Sequence, residues 1–148
     1  MRISIENGKL YAPSNKLDDK QDLFIADGKI VAFKKKPEGF KSDIKIDAKD
    51  KIIIPGLVDL CARLREPGFE KKGTFKSELN AANSNGITSI CMPPDTAPIV
   101  DTPAVVEFIH QRARETNRAN IYPLGALTQE LKGEQLAEMY LLKEAGCV

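Results

Sequence analysis

Residues 74–92, TFKSELNAANSNGITSICM, combine a helical pattern with a strand pattern and decide the fold class. Thr74 is a residue type that favours the N-cap of a helix, and Gly86 supplies the left-handed backbone on which helices commonly end. Residues 87–92 are rich in β-branched side chains, which favour strands. The pattern therefore predicts a helix over 75–85 followed directly by a strand.

Further strands and helices alternate on both sides of this unit. Thr102 and Pro103 open one of the helices, because proline at the first helical position gives up no hydrogen bond. The remaining predicted elements are strands over 57–60 and 121–126, helices over 103–116 and 135–145, and the start of a strand at 147–148. This order predicts an α/β fold with parallel strands and right-handed crossovers.

A (β/α)8 barrel, or TIM barrel, takes about 250 residues, whereas this chain has 148. Parallel strands are normally covered on both faces, which three or four strands cannot achieve alone. We therefore predict that residues 55–148 are the first half of a TIM barrel. The alternative is a small open α/β domain that ends with the chain.

Residues 1–54 predict an all-β module, which we expect to be a β-sandwich. Asn7-Gly8 and Asp27-Gly28 each separate two apolar strand candidates, and such dipeptides favour type I′ hairpin turns. Two hairpins are therefore predicted, with further strand character at 45–47 and 51–54.

Composition excludes several classes of function. Lys and Arg total 22 against 21 for Asp and Glu, so the charge balance favours neither nucleic acid nor a membrane surface as partner. The three cysteines are far apart and odd in number, which argues against a disulfide framework and a zinc knuckle. The only histidine, His110, is interpreted as a partly solvated helix residue. We expect a cytoplasmic protein, because no apolar run is long enough for a signal peptide or a membrane span.

Residues 55–68, PGLVDLCARLREPG, carry a family resemblance. They resemble the pattern P-G-x-x-D-x-H-x-H-L-R-E-P-G of the dihydroorotase branch of the amidohydrolase superfamily. Residues 92–96 (MPPDT) and 122–128 (YPLGALT) are similar to later segments of the same branch. The resemblance covers essentially the whole chain.

The resemblance implies a metal-dependent hydrolase with a TIM barrel and an N-terminal β-module that the far C-terminus completes. Members of the family interconvert carbamoyl-aspartate and dihydroorotate in pyrimidine synthesis. Their two motif histidines bind zinc, which makes hydroxide available near neutral pH. The motif arginine and a later asparagine hold the substrate carboxylate.

This chain departs from the family pattern at the metal site. Cys61 and Arg63 stand at the two histidine positions, after the motif acid Asp59. Arg63 carries a permanent positive charge, which would repel a divalent ion. We therefore interpret the three residues as a degenerate metal site and expect no zinc or other cofactor in this chain, with an ion pair from Arg63 to Asp95 in place of the metal.

A remnant of the substrate site is also predicted. Arg65 matches the arginine that holds the substrate, and Asp95 stands at the asparagine position. Arginine is well suited to a planar carboxylate. The alternative is that Arg65 and its neighbours only fix the geometry of the loop.

Three functions remain open. The first is a non-catalytic dihydroorotase-like protein that serves as a structural partner of aspartate carbamoyltransferase. The replaced histidines indicate the loss of catalysis, and the resemblance implies the partner, because the family's silent bacterial homologues build a complex with that enzyme. The second is an active dihydroorotase or related cyclic-amide hydrolase with an atypical one-metal site. The third is a non-enzymatic oligomer like the dihydropyrimidinase-related proteins, which residues 64–68 favour less. A homo-oligomer is expected in each case.

Overall fold

A computed structural model describes residues 1–148 and shows a mixed α/β fold that divides into two compact units. The N-terminal unit comprises Met1–Pro55 and the C-terminal unit Gly56–Val148. The strands are β1 (Arg2–Glu6), β2 (Lys9–Ala12), β3 (Leu17–Lys20), β4 (Leu23–Ala26), β5 (Lys29–Phe33), β6 (Ile44–Asp47), β7 (Ile52–Ile53), β8 (Leu57–Asp59), β9 (Ile87–Met92) and β10 (Asn120–Pro123). The helices are α1 (Phe75–Ser84), α2 (Pro103–Thr116) and α3 (Met139–Ala145). No helix is both long and apolar enough to cross a bilayer.

The N-terminal unit contains two small sheets. One has the strand order β5-β4-β1-β6 and the other β3-β2-β7. The hairpin predicted at Asp27-Gly28 is confirmed, since β4 and β5 are antiparallel and both turn residues have positive φ, 50° and 75°.

The hairpin predicted at Asn7-Gly8 is wrong. β1 pairs with β4 and β6, whereas β2 pairs with β3 and β7, so the turn joins strands of different sheets. Only Asn7 has a positive φ, so the type I′ turn does not form. Gly8 is instead required for space, because a Cβ there would lie 2.5 Å from Ile53.

One face of the four-stranded sheet carries two cross-strand rows of apolar residues. The register places Ile30, Ile25, Ile3 and Ile44 in one row and Phe33, Leu23, Ile5 and Ile46 in the other. Leu23 is buried, but the residues at the ends of the rows, on the edge strands β5 and β6, are 39–56% exposed; they are Ile30, Phe33, Ile44 and Ile46. We name these eight residues the aliphatic face.

The C-terminal unit contains the parallel sheet β8-β9-β10. Its core is formed where the helices pack on the sheet, and it includes Phe75, Leu79, Ile90, Met92, Val106, Ile109 and Ile121, each at most 4% exposed. Burying a large apolar side chain contributes roughly 1.5–3 kcal/mol. Ile90 and Met92 anchor β9 in this core, and β8 is held by its pairing with β9. The candidate site extends from the ends of these two strands.

The local signals correctly predict the first two helices. Thr74 and Ser77 form a reciprocal capping box at the start of α1. α2 runs over the predicted residues, although the Thr102 side chain makes no capping hydrogen bond. It buries Val105 and Ile109 as expected, but Phe108 remains 42% exposed.

The third helix begins later than the sequence predicts. α3 starts at Met139 rather than Gln135, because the preceding backbone bonds elsewhere. Ala137 N–H donates to Leu127 O, and Gln129 N–H donates to Gln135 O. The last two residues form no strand, although Val148 N–H donates to Pro123 O at 3.1 Å.

Candidate functional site

The loops that follow β8 and β9 meet at the same edge of the parallel sheet. Ala62 N–H donates to Cys91 O, and Ala97 N–H donates to Pro67 O, both at 3.1 Å. The carboxyl ends of parallel strands lie together, and in α/β barrels this edge carries the chemistry. The two loops are therefore held side by side by the sheet and by these two hydrogen bonds.

An ion pair joins these two loops. Arg63 Nε lies 2.6 Å from Asp95 Oδ2, so the pairing predicted from sequence is present. The two side chains are 51% and 40% exposed, which limits the contribution of the pair to stability. Its main effect is to orient the guanidinium of Arg63 toward the loop after β9.

The Asp95 carboxylate also raises the pKa of Arg63 above its ordinary value, first through the hydrogen bond and then through its charge. A smaller contribution in the same direction comes from the Cys61 thiol. Arg63 therefore remains a cation at any accessible pH.

Asp59 and Cys61 form a local turn. Asp59 Oδ1 accepts a hydrogen bond from the backbone N–H of Cys61 at 2.9 Å. This contact is the structural role that an aspartate at a strand end commonly has. None of the three cysteines forms a disulfide; the thiol of Cys61 is exposed, that of Cys91 is half-buried and that of Cys147 is buried.

Arg65 is the free cation of the site. Its side chain is exposed and forms no ion pair or hydrogen bond within the chain. Its backbone has φ of 69°, a left-handed conformation that costs a non-glycine residue roughly 1–2 kcal/mol. Arg65, Arg63 and Asp95 line one shallow depression together with Phe69. His110 does not line this depression.

Glu66 is the residue whose role the sequence did not reveal. It is 3% exposed, and Oε2 accepts the backbone N–H of Phe75, the first residue of α1, at 2.7 Å. Oε1 accepts Nε of Arg112 on α2 at 2.9 Å. One buried carboxylate thus ties the loop after β8 to two helices. The only sequence signal was an acidic residue shortly before a helix start.

The donors present do not fit the zinc that the resemblance implies. The chain has no group of three or more His, Cys, Asp and Glu side chains arranged to bind a metal ion. At the two motif positions, Cys61 offers one thiol, and Arg63 offers a cation already bound to Asp95. A divalent ion at that point would meet a fixed positive charge.

The chain is similar in structure to amidohydrolases. L-Hydantoinase (dihydropyrimidinase) from Arthrobacter aurescens superposes with a TM-score of 0.83 at 22% identity, covering 98% of this chain and 31% of that chain. Dihydropyrimidinase from Brevibacillus agri gives 0.73 at 22% identity, covering 97% and 30%. The fold is therefore that of the N-terminal part of these amidohydrolase-superfamily structures.

Comparison of the amino-acid sequence with known families and proteins shows the family of this chain. Residues 50–148 match the family described as dihydro-orotase-like, and the chain belongs to that family. A dihydroorotase-like protein of Pseudomonas aeruginosa is 48% identical over the whole chain, which covers 35% of that protein. A dihydroorotase of Syntrophotalea carbinolica is 38% identical with the same coverage. The chain thus spans about a third of the length of these relatives.

Proposed function

We propose that the protein containing this chain is a non-catalytic dihydroorotase-like protein that serves as a structural partner of aspartate carbamoyltransferase. The observation that carries the proposal is the Arg63–Asp95 ion pair. It places a permanent cation where the family pattern has a metal-binding histidine. The 48% identity to a protein named dihydroorotase-like supports the same reading.

A protein can keep its fold while its catalytic chemistry is lost, and such a protein can still serve as a structural partner in a complex. The partner follows from the resemblance to silent bacterial homologues. Arg65, which is exposed and unpaired, is proposed as a remnant anion-binding residue beside Asp95. We further propose a homo-oligomeric, cytoplasmic protein.

The test of inactivity uses the intact protein. Dihydroorotate hydrolysis and carbamoyl-aspartate cyclisation are measured together with zinc content by mass spectrometry. We expect turnover at the background rate and less than one zinc per chain. A relative named dihydroorotase serves as the positive control under the same conditions. Turnover comparable to that relative would overturn the proposal.

The test of partnership is separate. The intact protein and aspartate carbamoyltransferase of the same organism are mixed and examined by gel filtration with light scattering. We expect one complex with a mass that neither component reaches alone. Independent elution of the two proteins at micromolar concentration would contradict the assembly role.

The second candidate is an active dihydroorotase with an atypical one-metal site. It is favoured by relatives named dihydroorotase at 36–40% identity. Its metal would be bound by residues outside this chain, because the donors described above do not form a site. Zinc at one per chain with measurable turnover would select this candidate.

We also propose that the remaining sequence completes both units. The aliphatic face of the N-terminal unit would be covered by a second layer, giving a β-sandwich. The sheet β8-β9-β10 would be the first three strands of a TIM barrel, with residues 1–54 and 55–148 as the domain ranges. Support comes from the exposed side chains of Val58 and Tyr122 on the sheet, 58% and 39% exposed.

A further inference from the structure

A second depression lies at the opposite end of the parallel sheet from Arg63 and Asp95. Thr88 at the start of β9 and Asn120 at the start of β10 contribute to its wall, and the end of α2 forms its side. Its volume is about 420 Å³, a size typical of small-molecule sites. The depression therefore has room for a ligand of metabolite size.

The wall of this depression is cationic. Arg114 and Arg118 both line it, and no aspartate or glutamate does. Neither arginine forms an ion pair within the chain, in contrast to Arg112, which is paired with Glu66 and Glu115. Two guanidinium groups are therefore available to an anion in solution.

The helix end itself does not favour an anion. The carboxyl terminus of α2 carries a partial charge of about −0.5, and the Asn117 N–H is used in a bond to Ala113 O. Two full positive charges on Arg114 and Arg118 exceed that partial charge. The arginine side chains, rather than the helix dipole, would hold the ligand.

The opposite wall is fixed by close packing. A Cβ on Gly146, after α3, would lie 2.7 Å from Nε2 of His110. Gly146 also has φ of 112°, which side chains rarely adopt. The glycine therefore lets the imidazole of His110 lie against the end of α3.

We propose that this depression is a binding site for the phosphoryl group of a small phosphorylated ligand, held by Arg114 and Arg118. Arginine forms paired, charge-assisted hydrogen bonds with phosphate oxygens. Asn120 adds a polar group for the rest of the ligand. The amino ends of barrel strands are not where such folds keep their chemistry, so the site is a binding site only. It is independent of the function proposed above.

The experiment is calorimetric titration of the intact protein with pyrophosphate and with adenosine 5′-monophosphate. We expect saturable binding of one molecule per chain for at least one probe. The double variant Arg114→Gln/Arg118→Gln should weaken it at least about tenfold, because it removes both charge-assisted hydrogen-bonding partners of the phosphoryl group. The single variant Arg118→Gln should weaken binding less than the double variant. Because Arg118 lies outside α2, this substitution leaves the helix unchanged and separates a loss of binding from a folding defect.

The matched control is Lys71→Gln/Lys76→Gln, which removes the same charge from two exposed, unpaired lysines of the same unit. We expect its affinity to equal that of the unchanged protein. Absence of saturable binding by both probes would overturn the proposal. Arginine variants that bind the probes as tightly as the unchanged protein would also overturn it. A loss of affinity in the lysine control as large as that in the double arginine variant would overturn it too, because it would indicate non-specific attraction.

Discussion

Arg112 on α2 donates a hydrogen bond through Nε to the buried Oε1 of Glu66 at 2.9 Å. The other oxygen of Glu66 accepts the first backbone N–H of α1, from Phe75. Because Glu66 follows Arg65 directly, this carboxylate fixes the part of the loop from which the exposed arginine extends. The stability of the site and its geometry therefore depend on the same residue.

Replacement of Glu66 by alanine should lower the free energy of unfolding by about 2–4 kcal/mol. The substitution removes one charged hydrogen bond and leaves the helix N–H without its acceptor. Urea denaturation followed by circular dichroism measures the change. Glu115→Ala is the control, because it removes the exposed partner of Arg112 and should cost at most about 1 kcal/mol. Equal losses in both variants would refute a special role for Glu66.

Restoring the family motif should restore metal affinity. In Cys61→His/Arg63→His, two imidazoles replace a thiol and a cation, so we expect zinc to bind at least about tenfold more tightly. Competition with a chromophoric chelator gives the affinity. Arg63→Gln is the matched control, which removes the cation without adding a ligand. If the zinc affinity of Arg63→Gln rose as much as that of the double variant, charge repulsion alone would be what excludes the metal.

Gly68 should tolerate alanine less well than Gly86. Both have positive φ, 95° and 82°, so alanine adds similar backbone strain at each. At Gly68 the added Cβ would also lie 2.2 Å from the Ala97 carbonyl oxygen, whereas at Gly86 nothing lies within 4 Å. We expect Gly68→Ala to lower the free energy of unfolding by about 1–3 kcal/mol more than Gly86→Ala does. Thermal unfolding of the two variants side by side checks the difference.

The three thiols should react in the order of their exposure. Cys61 is exposed, Cys91 is half-buried, and burial raises the pKa of the buried Cys147. Since the thiolate is the nucleophile, a raised pKa slows alkylation at pH 8. Iodoacetamide labelling with peptide mass mapping should find Cys61 first and Cys147 last, with the Cys147 rate still rising as the pH is increased. Denatured protein should lose this order, and early labelling of Cys147 in the native state would contradict it.

Local signals predicted the elements whose hydrogen bonds are local. α2 has the bounds that Pro103 and its apolar spacing indicated, because a helix satisfies its own backbone. The turn at Asn7-Gly8 was misassigned, since the partner of each flanking strand lies elsewhere in the chain. The same limit applies at residues 135–138, whose backbone bonds to residues 127–129 prevent the helix from starting.

In the candidate site, too, some features could be predicted from the sequence and others could not. The pairing of Arg63 with Asp95 could be predicted, because the resemblance places Arg63 at a metal-binding position and Asp95 at a substrate-binding position of one site, and their charges are opposite. The role of Glu66 could not, because its partner Arg112 is 46 residues away and nothing in the sequence links the two. The basic depression near Arg114 and Arg118 was missed for a similar reason. Its wall combines Thr88, residues between 110 and 122, and Gly146, which are far apart in the sequence.

The aliphatic face also matters during synthesis. Residues 1–55 leave the ribosome before residues 56–148, and the edge strands β5 and β6 then present Ile30, Ile44 and Ile46 to water. Exposed apolar strand edges promote association between chains until they are covered. We therefore expect the newly made N-terminal unit to depend on chaperones that shield apolar surface, and the yield in expression to depend on how quickly the aliphatic face is covered.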